Sequence, residues 1–536
     1  MKPHRAGLLF ASGSALALLL AACGGSSNSA SPQPTSTASQ VFTYDTNTTV
    51  MDDTWDPATE YSNGIIAMNN MYETLTRFNA ATHKIDPLLA TSWSHSADGL
   101  TWTFHLRHGV HFHTGRLMTS QAAKAALLRT IKLGGGAAYV FAAVKTIDTP
   151  DPYTLVFHLS YPSPMDMATS AAYSAYIYDT QAAGSGASSG ALTKWFNTPH
   201  DAGTGAYTVQ TWNKGQEFEV ILKAYPGYWG GWSGPHFKKV VFRVVTQDST
   251  SAQLLRSGQI SFVEQIGPSV WKSLQGNPGI HTVSSPSWQN LIAQLNARTL
   301  SLPLRQAISY GIDYPGIIAA LQGAAVSSSG IVPPGLFGHF TDLPNYTYDP
   351  AKAAALLKKA GYGPGGKALN LSLTYTQGDS NEQVVATLMK SSLAKLNINV
   401  STQSLAWPTQ WAKAKSSNAA GRQSIFLEYW WPDMDDPSTW FSNLLLTEKT
   451  PYFNLSYYSN PTLDKQINRV DPLTATNPTA GEQLYRTMQV EVLQQAPLQA
   501  LYNVNYQYAM RTSFTGFVSN PAYAGVVFVY NLKPAG

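Results

Sequence analysis

A single cysteine, Cys23, stands in a chain of 536 residues, and that scarcity limits how such a chain can fold. No disulfide can form within it and no Cys-built zinc site can staple it, so apolar cores alone must hold it together. The length exceeds what one core normally supports, and two or more lobes are expected. A hydrophobic fraction of 44% supplies material for those cores, whereas charged residues make up only 12%, about half the usual ~25%. The surface must then be carried by Ser, Thr, Asn, Gln and Tyr.

The position of the cysteine is as informative as its solitude. Lys2 and Arg5 precede an apolar run from Gly7 to Leu20 that is too short to span a bilayer and reads as the core of a secretion signal. Leu20-Ala21-Ala22-Cys23-Gly24 resembles a bacterial lipobox, in which the thiol is lipidated and cleavage leaves the cysteine first in the mature chain. The expectation is a signal peptide over 1–22, then a lipidated Cys23 and a flexible tether over 23–40. Residues 24–40, GGSSNSASPQPTSTASQ, hold neither a charge nor a large apolar residue and cannot order themselves. Without Lys2 and Arg5 the formal charge of +4 falls to about +2, which leaves no electrostatic footprint for nucleic acid.

From Val41 onward strands and helices mix. Leu100–Leu106, Tyr153–Leu159 and Phe218–Leu222 alternate apolar and polar residues as half-buried strands do, and Val240–Val245 reads as a buried strand. Asp349-Pro350, then AKAAALLKKA, then Gly361 place an N-cap, a first-turn proline and a terminating glycine where a helix needs them. SLPLRQAISYGI and TAGEQLYRTMQVEVLQQA read as further helices. Mixed elements over this length argue for a multi-lobed α/β architecture.

Several motifs suggest chemistry without supporting it. Gly186-Ala-Ser188-Ser-Gly190 matches the nucleophile elbow of serine hydrolases, but it sits in a small-residue loop and not between a strand and a helix. Gly361 to Ala368 nearly spells a phosphate-binding loop, yet Ala368 stands where a hydroxyl must hold the cation, and a helix precedes it. His105, His108, His111 and His113 raise a metal question, in which His111 and His113 would share one face of a strand. No carboxylate lies among them, so strand histidines are the plainer reading, and whether His108, His111 and His113 bind metal stays open.

The most distinctive stretch is EYWWPDMDDPSTWF, residues 428–441. It gathers Glu428, Asp433, Asp435 and Asp436 among five aromatics. As an EF-hand it fails, because Pro437 occupies the fifth position and no glycine follows. A carboxylate pair for glycoside hydrolysis is a spatial matter that sequence leaves open. A polar handle inside an aromatic pocket, as ligand sites are built, is what remains.

Six ordered blocks, spanning about residue 43 to about 520, resemble the family 5 extracellular solute-binding proteins of ABC importers, receptors for peptides, nickel and oligosaccharides. The first is MYETLTRFNAATHKIDPLLATSWSHSADGLTWTFHLRHGVHFHTGRLMTSQ (71–121). GTGAYTVQTW (203–212), YWGGWSGPHFKKVVFRVV (228–245), LNARTLSLPLRQAISYGID (295–313), YDPAKAAALLKKAGY with the acidic stretch, and FNLSYYSNPTLDKQI (453–467) follow in family order. Two positions depart from the pattern: Ser261 and Thr114 replace acidic residues. The resemblance implies a two-lobed periplasmic-binding-protein-like clamshell of the type II, large class with an extra subdomain. Lobe I would span 41–290 with the subdomain at about 81–200, lobe II 291–505, and 506–536 would return to lobe I.

In peptide-binding members an Asp of the acidic segment pairs with the ligand's α-ammonium group. Carried over residue by residue, that motif is Trp430, Asp433 and Pro437 here, with Trp431 adjoining and Trp407 lining the same pocket. On the facing lobe, Tyr61 to Ile65, with Asn63 and Gly64 at its centre, would be a strand offering main-chain hydrogen bonds. Asp435 and Asp436 read as turn and capping residues. The segment has no Arg to receive a peptide's C-terminal carboxylate apart from Arg422. The resemblance implies no cofactor, no metal and no catalytic residue. It implies a small peptide as ligand, an ABC permease as partner, a lipid anchor on the outer face of the cell membrane (in a periplasm if a second membrane is present), and a monomer. An oligosaccharide ligand is the alternative, since fourteen tryptophans suit sugar stacking. A secreted hydrolase and a chemoreceptor subunit are readings of other classes.

Overall fold

The computed structural model describes residues 40–47, 54–60, 63–214 and 218–535. Cys23 and the signal peptide and tether expected over residues 1–39 lie outside them, as do Tyr61 and Ser62. Two long antiparallel strands, Ile280–Leu295 and Leu498–Arg511, form the spine of an extended mixed sheet. Beyond Leu498–Arg511 the sheet continues through Phe262–Val263, Val41–Thr46, Lys239–Val244, Glu219–Ala224 and Tyr207–Asn213. Beyond Ile280–Leu295 it continues through Ile425–Trp430, Leu369–Thr376 and Ile398–Leu405. The two halves are the two lobes of an α/β clamshell.

The spine changes partners midway. Residues Ile280 to Pro286 pair with Arg511 to Asn505, and the register breaks between Pro286 and Asn290 and again between Leu291 and Ile292. From Asn290 the strand also takes Ile425–Trp430 on its other edge. Proline cannot donate to the ladder, and the unpaired residues of a bulge let a strand bend. The helices Asp248–Ser257 and Pro268–Leu274 pack on the first half. The second half carries Ser380–Ala394 against its strands, while Leu302–Gly311 and Pro350–Lys359 pack on one another.

A separate four-stranded antiparallel sheet, in the order Ala90–His95, Thr101–Leu106, Thr154–Leu159, Val144–Asp151, carries the helix Ser120–Leu133. Its two central strands alternate: Phe104, Leu106, Leu155, Phe157 and Leu159 are buried, and the residues between them are more exposed. Glu219–Ala224 alternates likewise, and Lys239–Val244 is buried at Val240, Val241 and Phe242. The helix Pro350–Lys359 starts with Asp349 accepting from the Lys352 amide at 2.9 Å, and Gly361 follows it at φ +82°. Each of these elements is where sequence periodicity puts it. Among the described residues no helix is long and apolar enough to cross a membrane.

The remaining motifs resolve into structural roles. Ser188 caps the helix Ser189–Phe196, its hydroxyl accepting from the Ala191 amide at 3.2 Å. Gly361 to Lys367 is a turn closed by the Gly363 amide on the Lys367 carbonyl at 3.0 Å. His111 is exposed, and His108 stacks on Tyr153 with ring centres 3.7 Å apart. His113 does not share a metal face with His111: it is buried, with Nδ1 on Asp201 and Nε2 on the Gly205 carbonyl at 2.9 Å. Burial alone would lower the pKa of His113, yet Asp201 beside it raises it overall. Among the described residues no group of three His, Cys, Asp or Glu side chains is spaced to hold a metal ion.

Candidate ligand-binding site

A cavity enclosing roughly 1110 Å³ of empty space, open solvent at its mouth included, lies between residues of both halves. One wall comes from the second half. The strand Ile425–Trp430 supplies Glu428, Tyr429 and Trp430, and the turn that follows it supplies Trp431 and Asp433. Trp407 opens the helix Trp407–Ala414 with Pro408 behind it, so the ring projects from a first helical turn fixed by the proline. Trp407 and Trp411 lie 5.2 Å apart between ring centres, and Trp430 meets Phe453 edge-on at 5.4 Å. The opposite wall has Asn63, Tyr139, Tyr173, Glu264 and Gln265.

Trp407, Trp430, Trp431, Asp433 and Asn63 therefore line one cavity. Gly64 does not. It is buried, and its amide donates to Glu60 Oε1 at 3.3 Å. The strand expected over Tyr61 to Ile65 is also absent among the described residues: Asn63 and Gly64 form a turn, and Ile65 opens the short helix Ile65–Met68. An Asn-Gly pair favours turns, and the Glu60 side chain takes the amide that a strand would have offered. Arg422 is elsewhere, its guanidinium over the Tyr457 ring at 4.6 Å and its Nε on the Ser416 carbonyl at 2.8 Å.

Asp433 is the unusual residue of the group. It is 9% exposed, and its carboxylate has no hydrogen-bond or ionic partner among the described residues. Its main chain is pinned instead, the Tyr523 hydroxyl donating to the Asp433 carbonyl. Burial alone lifts the Asp433 carboxyl to about 7. A shift of that size penalises the charged form by on the order of 4 kcal/mol. Asp436 is the residue that shapes the turn, accepting from the Ser438 amide at 2.6 Å ahead of the helix Ser438–Ser442. Half-buried Asp435 is raised to about 6 by burial and by Asp436.

Four more carboxyls line the cavity: Glu428, Asp379, Glu382 and Glu264. Glu428, 1% exposed, receives Gln294 Nε2 on Oε1, and burial lifts it to about 8. Asp379 caps the helix Ser380–Ala394, accepting from the Glu382 amide at 2.8 Å, while Glu382 accepts from the Thr376 amide at 2.6 Å. Burial raises both, Asp379 to about 6, and each feels other carboxylates nearby. Glu264, from the other half of the sheet, is raised by burial and also by Asp379. Asn443 adds a donor, its buried Nδ2 lacking a partner among the described residues. Among the described residues no Lys or Arg lines the cavity.

Sequence reading missed Asp379, Glu382, Glu264, Asn443 and Tyr173. Asp379-x-x-Glu382 carries the signature of a helix cap, and a cap is what it forms. Tyr173 adopts φ +71°, a conformation that costs a non-glycine residue about 1 kcal/mol or more, and no sequence signal marks it.

The model of the bacterial extracellular solute-binding proteins, family 5 Middle, matches residues 84–452. A probable D,D-dipeptide-binding periplasmic protein of Escherichia coli is 30% identical over 441 residues, covering 81% of this chain and 82% of its own. The dipeptide-binding protein of the same species is 26% identical over 481 residues, with 84% and 87% covered. A periplasmic binding protein associated with an ABC transporter of Helicobacter pylori, solved with the peptide STSA, superposes with a TM-score of 0.81. It is 22% identical, with 92% of this chain and 98% of that one covered. That likeness is one of fold.

Proposed function

Because the chain belongs to the bacterial extracellular solute-binding proteins of family 5, we propose that it is the binding receptor of an ABC importer. It captures di- or oligopeptides between its lobes and delivers them to a membrane permease. The observation that carries this reading is Asp433, a carboxylate 9% exposed and, among the described residues, without a partner in a cavity walled by both lobes. An ammonium taken out of water needs a charge-assisted partner, and an enclosed carboxylate meets that need. Asn443 Nδ2 offers a donor to a peptide carbonyl. Trp407, Trp430 and Trp431 give the apolar walls that side chains of varied shape can press against.

The lobes act as a hinge, lobe I being 41–290 with its subdomain at about 81–200, lobe II 291–505, and 506–536 returning to the first. Ligand contacts to both walls exist only when the cleft is shut, so the ligand shifts the population toward the closed form. Nothing is made or broken in the cargo. Cys23 carries the lipid that holds the receptor at the outer face of the membrane, where tethering raises its effective concentration at the permease.

One mass-spectrometric experiment tests both parts. Full-length protein is extracted gently in detergent from cells grown in rich medium, and its intact and dissociated masses are read. The expected result is a chain beginning at an acylated Cys23 and releasing a ladder of short-peptide masses. Release of species spaced by hexose units would overturn the peptide reading, and an unacylated chain would overturn the anchor.

A further inference from the structure

One ammonium group does not account for the cavity. Asp433 alone suffices for the terminus of a peptide, yet Glu428, Glu382, Asp379 and Glu264 face the same space. Glu428 is the clearest surplus: it is 1% exposed, Gln294 occupies Oε1, and its other oxygen has no hydrogen-bond partner among the described residues. Glu382 feels the charges of both Asp379 and Glu428, and Asp379 in turn faces Glu264 and Asp248 of the other half. Asp248 is itself engaged, accepting from the Gly267 amide at 2.9 Å and from the Ser380 hydroxyl at 3.2 Å. The Tyr429 hydroxyl lies 3.2 Å from that of Tyr502 and donates to Asp379 Oδ1 at 3.5 Å.

No cationic side chain among the described residues answers this group. Among the described residues no Lys or Arg lines the cavity, and residues 48–53, 61–62 and 215–217 contain neither in sequence. No three of the acids are spaced for a metal ion. Carboxylates brought together from two lobes repel when ionised and resist closure unless positive charge enters between them.

We propose, resting on the receptor reading above, that the cargo is a short basic peptide. Its terminal ammonium lies at Asp433, and a lysine- or arginine-type head is received by Glu428 with Glu382 and Asp379 behind it. The second cation makes the site selective: it is what allows the acid-lined cleft to close. Acidic peptides are disfavoured by the same wall, because among the described residues no cationic side chain lines it to offset a carboxylate's charge.

The test is calorimetry on the mature-length protein after its retained ligand has been removed. The probes are Lys-Ala-Ala amide and Ala-Lys-Ala amide, each beside the peptide with norleucine in place of lysine. Norleucine keeps the aliphatic stem and removes the charge. At least one lysine peptide is expected to bind about 30-fold or more tightly than its norleucine partner. Glu428→Gln is expected to bring that ratio close to one. The variant keeps an acceptor for Gln294, and its melting curve checks that it folds. The comparison on the unmutated protein stands even if it does not.

If both norleucine peptides bind at least as tightly as their lysine partners, the inference fails and the receptor reading survives. If Glu428→Gln folds and leaves the preference intact, the assignment of the head group fails. If no peptide binds while a cello-oligosaccharide does, the peptide reading fails and takes the inference with it.

Discussion

Burial raises the proton affinity of Asp433 and Glu428 above that of free carboxyls, and this makes both stability and binding depend on pH. Unfolded, the two carboxyls sit near 3.8 and 4.5; buried, they rise to about 7 and about 8. Between those limits the native state binds more protons than the unfolded chain. Their stabilisation is therefore full below about pH 4 and is lost as pH rises through 7 and 8. The melting temperature of the ligand-free protein is expected to fall from pH 5 to pH 8, and Asp433→Asn to flatten part of that slope. An ammonium ligand demands the ionised carboxylate, so binding releases protons. Affinity for a simple dipeptide should rise from pH 6 toward a maximum near the peptide's own amine pKa of about 8. Calorimetry in buffers of different ionisation heat reads the released protons directly. A profile flat in both affinity and proton count would contradict the assignment. At this scale the sequence marks EYWWPDMDDPSTWF as a cluster of acids and reads Asp436 as a turn residue, which is its place in the fold, but only the fold shows that the Asp433 carboxylate has no partner among the described residues.

Elements were legible wherever a local rule decided them. The alternation of Thr101–Leu106 and the capped Pro350–Lys359 helix follow from neighbours in the chain. The strand expected at Tyr61 to Ile65 failed because it rested on likeness, against a local Asn63-Gly64 turn signal. The family block GTGAYTVQTW shows how a motif can serve the fold and not the ligand. A Cβ on Gly203 would lie 2.0 Å from the Met71 carbonyl oxygen, and one on Gly205 2.7 Å from the Asn70 carbonyl oxygen. Tyr207 and Gly205 also donate main-chain hydrogen bonds to Asn70 and Met71 at 3.0 and 2.9 Å. Gly203→Ala must push two backbones apart, so a loss of about 3 kcal/mol or more is expected, at the upper end of overpacking. Gly190→Ala, whose Cβ meets nothing within 4 Å, is the control and should unfold in urea like the parent. Equal midpoints for both variants would show that the close approach is not rigid.

For the whole molecule, two lobes and a cleft between them follow from length, lack of disulfides and the order of the sequence blocks. What could not be read is the meeting of Glu264, Asp379, Glu382, Glu428 and Asp433 in one cavity. They come from a short strand end, a helix cap, a strand and a turn; sequence sets Asp379 beside Glu382 and Glu428 near Asp433, but nothing in it links those pairs to each other or to Glu264. The spine strands join the two halves, and their register breaks at Pro286 to Asn290 and at Leu291 to Ile292 are where bending meets least resistance. On the receptor reading proposed above, Asp433 holds a peptide's terminal ammonium in this cavity. The most direct measurement is the affinity of Ala-Ala beside that of N-acetyl-Ala-Ala at pH 7.5, by calorimetry on protein freed of retained ligand. Loss of a buried charge partner predicts a drop of about 30-fold or more on acetylation. Equal affinities for the two would contradict the account.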